Sequence, residues 1–217
     1  MREGKVIDCT FQLNSAAGSG GALRTAGDVA VQKCHFDTNT AAKNGGGVYT
    51  TSGDLSIEMN SVFSNCVATV HGGGIYAEEG TISITVGGNS SFSSCVASTG
   101  NGAALFSMVS AEVEDTAIRD FTASTYNSSV AAFYHDASAP NYLKLRPGTI
   151  FEGVNLLYFD SSEPSTVIVM NLHISASATD FRSGSLLTCR NESMGDFCPN
   201  AYCSDVTMGV EVVFDYP

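Results

Sequence analysis

The phrases Gly45-Gly46-Gly47-Val48-Tyr49 and Gly72-Gly73-Gly74-Ile75-Tyr76 are the first places where this sequence could do chemistry. Glycine-rich loops can cradle phosphate, because backbone N–H groups without a Cβ beside them approach an anion closely. No Gly-Lys-Ser or Gly-Lys-Thr follows either phrase, so the phosphate reading lacks its cation and its hydroxyl. Acids offer general acid–base work or Ca²⁺ binding, which need two or three carboxylates converging on one face. Asp28 and Asp54 each follow a glycine at a strand entry, with Thr81 at the matching place further on; that pattern is turn chemistry. Glu112, Glu114, Asp115 and Asp120 would spread over both faces of their strand, since side chains alternate. His35, His71, His135 and His173 form neither a His-x-x-x-His pair nor a nucleophile–base set. No catalytic, cofactor-binding or metal residue is assigned on this basis, and no cofactor is expected.

The elements that must carry these residues come from a repeat. Phe11, Phe36, Phe63 and Phe92 are spaced by 25, 27 and 29 residues and open the phrases "FQLNSA", "FDTNTA", "FSNCVA" and "FSSCVA". Each is followed by a corner of small residues and one apolar residue. These corners are Gly20-Gly21-Ala22-Leu23, Gly45-Gly46-Gly47-Val48, Gly72-Gly73-Gly74-Ile75 and Gly102-Ala103-Ala104-Leu105. Short alternating segments, "DVAV", "DLSI" and "TISI", separate corner from next Phe. One unit of this size cannot bury its apolar face alone, so a fixed period means a stacked array. The unit is too short for a propeller blade or a strand–helix–strand crossover, and it has no sustained helical period.

The expected fold is therefore all-β, a right-handed parallel β-helix of about six or seven coils, with the hand set by parallel crossover chirality. Each coil would carry two or three short strands. Residues 1–185 would form the coils, and 186–217 an irregular Cys-containing cap or tail. Stacked Phe residues would form an interior aromatic ladder, and Ala16, Ala41, Ala68 and Ala97 a tight small-residue ladder. Asn14 and Asn39 share one turn position, where an amide can satisfy turn backbone. Tyr49 and Tyr76 should stack at a corner, as an amphipathic ladder or as a platform for sugar rings.

"FQLNSAAGSGGAL" and "FDTNTAAKNGGGV" resemble the Phe-x-x-Asn and Gly-Gly-Ala-Ile repeats of chlamydial polymorphic outer-membrane proteins, with related repeats in large surface proteins of protists and algae. The resemblance is clear from Phe11 to about Leu105 and weaker up to Phe181. It implies a right-handed parallel β-helix on a cell surface, acting in adhesion or as wall or appendage structure. Cys66 and Cys95 depart from the pattern by replacing the Asn. No β-barrel translocator segment is recognised, so no direct membrane insertion is expected. Parallel β-helices also include carbohydrate-active enzymes, which keeps an enzyme or polysaccharide-binding module as the alternative. The polygalacturonase pattern of Asn-Thr-Asp, Asp-Asp, Gly-His-Gly and Arg-Ile-Lys is absent, as is the Asp-Pro-His-Glu motif of alginate epimerases.

Seven cysteines are present. Cys9 and Cys34 both sit two residues before a ladder Phe, and Cys66 and Cys95 both sit three after one. Stacked Cα atoms lie within disulfide range, but parallel Cβ vectors stand rather far apart, so each pair is either a distorted bridge or a reduced ladder. Cys189, Cys198 and Cys203 lie in the tail without a nearby His, which favours a disulfide-tied loop over zinc. Asn89, Asn127 and Asn191 head glycosylation sequons.

Bulk composition bounds the partners. A formal charge of −12 with only ten Lys and Arg excludes a clustered cationic surface for nucleic acid. No apolar run reaches bilayer length, and Met1–Phe11 lacks an apolar signal region, so a mature chain or a fragment is expected. The sequons and the Cys-rich tail point to a secreted or cell-surface protein. Its expected partners are other surface or fibre proteins, or polysaccharide. Open end coils would permit end-to-end or lateral assembly.

Overall fold

The computed structural model describes residues 4–78 and 81–121, together with the backbone of further strands between 133 and 215. The first turn consists of β1 (Gly4–Ile7), β2 (Thr10–Gln12), β3 (Ser15–Ala16) and β4 (Leu23–Thr25). The second is β5 (Val29–Gln32), β6 (His35–Asp37), β7 (Thr40–Ala41) and β8 (Val48–Thr50). The third is β9 (Gly53–Glu58), β10 (Val62–Ser64), β11 (Val67–Ala68) and β12 (Ile75–Ala77). The fourth is β13 (Thr81–Val86), β14 (Ser90–Ser93), β15 (Val96–Ala97) and β16 (Leu105–Ser107). Every strand pairs in parallel with the equivalent strand of the turn above or below, so the four strand positions become four sheets running along one axis. The fold is an all-β parallel solenoid, and no helix occurs among the described residues.

Two details differ from the sequence-based expectation. A turn has four strands rather than two or three, because the two-residue strands at Ser15–Ala16, Thr40–Ala41, Val67–Ala68 and Val96–Ala97 pair as a sheet of their own. Four complete turns are described, against six or seven expected. The other three sheets continue beyond Ser107, beginning with β17 (Ala111–Val113), β18 (Thr116–Phe121) and β19 (Phe133–Ala137). Within 186–217, Thr188–Cys189 and Val210–Asp215 both join the sheet that starts with β1.

Alternation decides which residues enter the core. In β9, Leu55 and Ile57 are buried while Asp54, Ser56 and Glu58 face outward. The strongest column is aromatic. Phe11 stacks on Phe36 at 4.9 Å, Phe36 on Phe63 at 4.5 Å, and Phe63 on Phe92 at 4.8 Å, with ring planes within 12° of parallel. Register imposes that geometry, since equivalent residues stand one strand spacing apart. Phe36, Phe63 and Phe92 are fully buried, each worth about 1.5–3 kcal/mol of transfer free energy. The column passes to the buried Ile118, which pairs with Phe92. Ala16, Ala41, Ala68 and Ala97 form the expected small-residue column beside it.

The chain turns at left-handed residues stacked in columns. One column is Asp8, Lys33, Asn60, Asn89 and Asp115, and another is Leu13, Thr38, Asn65 and Ser94, all at positive φ. A third is the first glycine of each small-residue corner, Gly20, Gly45, Gly72 and Gly102. The second glycine has a different reason: a Cβ on Gly46 would lie 2.3 Å from the carbonyl oxygen of Gly73 in the next turn. Only the non-glycine left-handed corners carry a backbone penalty, about 1–2 kcal/mol per residue.

Phe63→Ala should therefore cost about 3–5 kcal/mol of unfolding free energy by opening a cavity between two rings. Gly46→Ala should also destabilise strongly, whereas Gly18→Ala, whose Cβ would meet nothing within 4 Å, should be nearly neutral. Equilibrium denaturant titration of the three variants checks the ranking. Leu13→Gly tests the corners. Leu13 is 72% exposed at φ 57°, so glycine relieves backbone strain while little packing is lost. A net gain of about 0.5–1 kcal/mol is expected after glycine's own entropy cost, read as a higher denaturation midpoint.

Candidate functional site

The glycine corners hold no phosphate cradle, because their N–H groups are already used. Gly45 donates to the His71 carbonyl at 2.9 Å, Gly46 to Gly72 at 3.0 Å and Gly47 to Gly74 at 3.0 Å. The next corner repeats this toward Asn101, Gly102 and Ala103 at 3.0–3.1 Å. Each corner is thus hydrogen-bonded to its successor, and a phosphate would have to break that ladder to find donors.

The acidic candidates do not converge. Asp28 accepts a hydrogen bond from the Asp54 backbone N–H of the next turn at 3.2 Å, and Ser83 donates to Asp54 at 2.6 Å, so both acids make rungs between turns rather than local turn bonds. Ser83, rather than Thr81, therefore stands beside Asp54, because a register shift between Thr81 and Ser83 places Thr81 against Gly53. Glu112 stands outward on β17, while Glu114 and Asp115 are exposed at the following corner. The side chain of Asp120 lies outside the described residues. Among the described residues, no group of three or more His, Cys, Asp or Glu could hold a metal ion.

An acid that the sequence reading passed over has the densest partners. Asp37, on the outer face of β6, accepts hydrogen bonds from Ser64 at 2.7 Å, Gln12 at 3.1 Å and Asn65 at 3.3 Å. Those donors, Ser64 first, hold its carboxyl below the usual aspartate range. The partners lie on neighbouring turns, so only the register reveals them. Their role is to tie three turns together on the outside of the Phe column.

Tyr49 and Tyr76 stack at 5.4 Å, and Phe106 continues the column at 5.0 Å. The Tyr49 hydroxyl donates to Glu78 at 2.9 Å, and the Arg24 guanidinium lies 5.2 Å from the Tyr49 ring centre. Burial, then the Glu78 carboxylate, pushes the Tyr49 phenol up. Both tyrosines are only 7% exposed. That settles the two readings left open above: the rings have no free face for a sugar and serve as a packed corner ladder.

His35 is exposed, as its place before Phe36 requires. His71 is half-buried against Phe106, with ring centres 4.5 Å apart, and its Nδ1 accepts the Asn101 backbone N–H at 3.0 Å. Burial holds its pKa below the ordinary histidine value. His135 lies on β19, where only backbone is described, as it is for His173. Asn89 is an exposed left-handed corner residue, so its amide is free of the core. Asn127, Asn191, Cys198 and Cys203 lie outside the described residues, and Cys189 is described only as strand backbone. Cys9, Cys34, Cys66 and Cys95 carry free thiols in the two expected stacked pairs.

His71 gives a pH dependence. The unfolded chain binds the proton more tightly than the folded one, so the stability His71 contributes is complete above about pH 6.5 and is lost as pH falls below it. Thermal melts followed by circular dichroism from pH 8 to pH 5 should show wild type losing stability in that window, and His71→Asn changing less.

No curated protein and no solved structure matches the chain. A family model does match two stretches, residues 8–26 and 33–51. Each runs from a left-handed corner through the Phe strand and the glycine corner, and omits the strand of the first sheet. Within the first two turns of this parallel solenoid, these two stretches are similar to the Chlamydia polymorphic membrane protein repeat.

Proposed function

We infer that this chain is a rigid surface element with a structural or adhesive role, secreted or held on the outside of a cell. The observation that carries the reading is the closed hydrogen-bond ladder. Strands and glycine corners alike spend their backbone groups on the next turn, which leaves outward side chains and loops as the parts available to a partner. The match to a membrane-protein repeat supports the surface placement. The exposed Ala42 and Lys43 before one glycine corner, Thr69 before the next, and Ser98 and Thr99 before the third form a row of variable loop tips. Such a row suits contact with another surface or fibre protein, or with polysaccharide. Any solenoid turn whose backbone groups lack a neighbouring turn suits end-to-end stacking with a further solenoid. Asn89 is exposed and heads a sequon, which supports an N-linked glycan there.

Two measurements test this. Protease shaving and surface labelling of intact source cells should release or tag the chain, with a glycosidase-sensitive mass at Asn89. Beads coated with the purified protein should adhere to source cells or to fibres of the chain itself, and substitution of the loop-tip residues should lower retention several-fold while leaving the circular dichroism spectrum unchanged. Labelling only after lysis, together with beads that bind nothing, would sink the reading.

A further inference from the structure

Between residues 4 and 121 the cysteines occur in neighbouring turns and only in matched pairs. The His35 backbone N–H donates to the Cys9 carbonyl at 2.9 Å, which places Cys34 directly over Cys9. In the same way the Val96 N–H donates to the Cys66 carbonyl at 2.8 Å, which places Cys95 over Cys66. One strand spacing, about 4.8 Å, falls within the Cα separation a disulfide spans. None of the four lies within a strand. Each follows a left-handed corner residue, Asp8, Lys33, Asn65 or Ser94, so strand geometry does not hold the Cβ vectors parallel.

The rest of each column shows what the cysteines replace. After Cys34 the first column continues as Ser61, Ser90 and Thr116. Ser61 Oγ donates to the Glu58 carbonyl at 2.7 Å and accepts the Cys34 N–H at 3.3 Å. Before Cys66 the second column is Asn14 and Asn39, and Asn39 Nδ2 donates to the Phe11 carbonyl at 2.8 Å. These positions hold side chains that bind turn backbone, a task the thiols share through the Ile7, Gln32, Phe36 and Ser93 carbonyls, and the switch to cysteine occurs in two adjacent turns each time. The Cys34 thiol donates to the Val6 carbonyl at 3.4 Å in the first turn, the turn that carries Cys9, and the Cys95 thiol donates to the Ser93 carbonyl at 3.6 Å. Burial raises the Cys95 thiol well above the ordinary range.

We propose that Cys9–Cys34 and Cys66–Cys95 are two inter-turn disulfides that clamp turns one and two, and turns three and four, into two covalent blocks with an unclamped seam between them. The oxidant is a low-molecular-weight or protein disulfide. A cysteine thiolate attacks it, forming a mixed disulfide and expelling one thiolate. The partner thiolate then attacks the protein sulfur and expels the second. Two protein thiols are oxidised, one external disulfide is reduced to two thiols, and the two protons that the protein thiols lose are taken up by the two expelled thiolates.

Access sets the order. Cys9 is half-buried at the outer edge of the first turn and can take up the mixed disulfide in the folded protein. Cys66 and Cys95 are both buried, so their exchange waits for the turns to part or takes place during folding. The bridges need an oxidising compartment, which rests on the surface placement argued above, but their geometry can be tested without it.

The full chain, folded and reduced, is placed in a glutathione redox buffer, and samples are quenched with an alkylating agent, digested and mapped without reduction. The expected result is a linked Cys9–Cys34 peptide first, and Cys66–Cys95 at least tenfold more slowly. Refolding from denaturant in the same buffer should form both together. The oxidised protein should melt several degrees above the reduced one, and Cys34→Ser should abolish only the first bridge. Ladder cysteines that stay alkylatable after refolding, or that pair with Cys189, Cys198 or Cys203, would overturn the proposal. Correct pairing in the redox buffer with fully reduced cysteines in material from source cells would overturn the surface placement and leave the pairing standing.

Discussion

Parallel stacking in register is the constraint on which this structure depends. Each residue has, one strand spacing away, the residue that holds the same place in the next turn. A side chain is therefore selected for how well it sits on a copy of itself. Phenylalanine meets that demand in the interior at 4.5–4.9 Å, alanine where the column is narrow, and glycine where a Cβ would strike the carbonyl above. Outside, the same rule makes polar rows such as Gln12, Asp37 and Ser64, in which donors and acceptors face each other across turns.

The corners show what the rule tolerates. Glycine is used where space and positive φ coincide, but the other two corner columns accept Asp, Lys, Asn, Leu, Thr and Ser in the left-handed region. Those columns point into solvent, so the backbone cost is met by stacking energy and the side chain is left to vary. Turns also differ in length. Where Gln32-Lys33-Cys34 makes a corner in the second turn, Glu58-Met59-Asn60-Ser61 makes it in the third, with both Met59 and Asn60 left-handed. The insertion changes the corner and leaves the register of Val31 on Ile57 and Phe36 on Phe63 intact.

This explains what could be read from residues alone. The Phe, Ala and glycine columns were legible because a side chain that stacks on itself recurs by identity. The cysteine pairs and the Tyr49–Tyr76 stack were legible for the same reason. The two-residue strands were not, because Ser-Ala, Thr-Ala and Val-Ala are too short to show alternation. The partner of Asp54 was misplaced because a bulge inside the strand shifts Ser83 into that position. The Asp37 cluster was invisible, since its members are different residue types on different turns. The His71–Asn101 bond joins a side chain to backbone thirty residues away, and residue spacing carries no mark of it.

The closed ladder has a consequence for how such a chain is broken down. Proteases bind substrate as an extended strand, and they need a length of backbone with unpaired N–H and C=O groups. Strands in the described turns run two to six residues before a corner, and their neighbours above and below already occupy those groups. A protease has no purchase on the side of the stack and must wait for a turn to detach, which makes cleavage follow the opening equilibrium of the outermost turn rather than the number of cleavable bonds. A solenoid of this design persists in a protease-rich medium by geometry, turn by turn, and its lifetime lengthens with every turn that covers another.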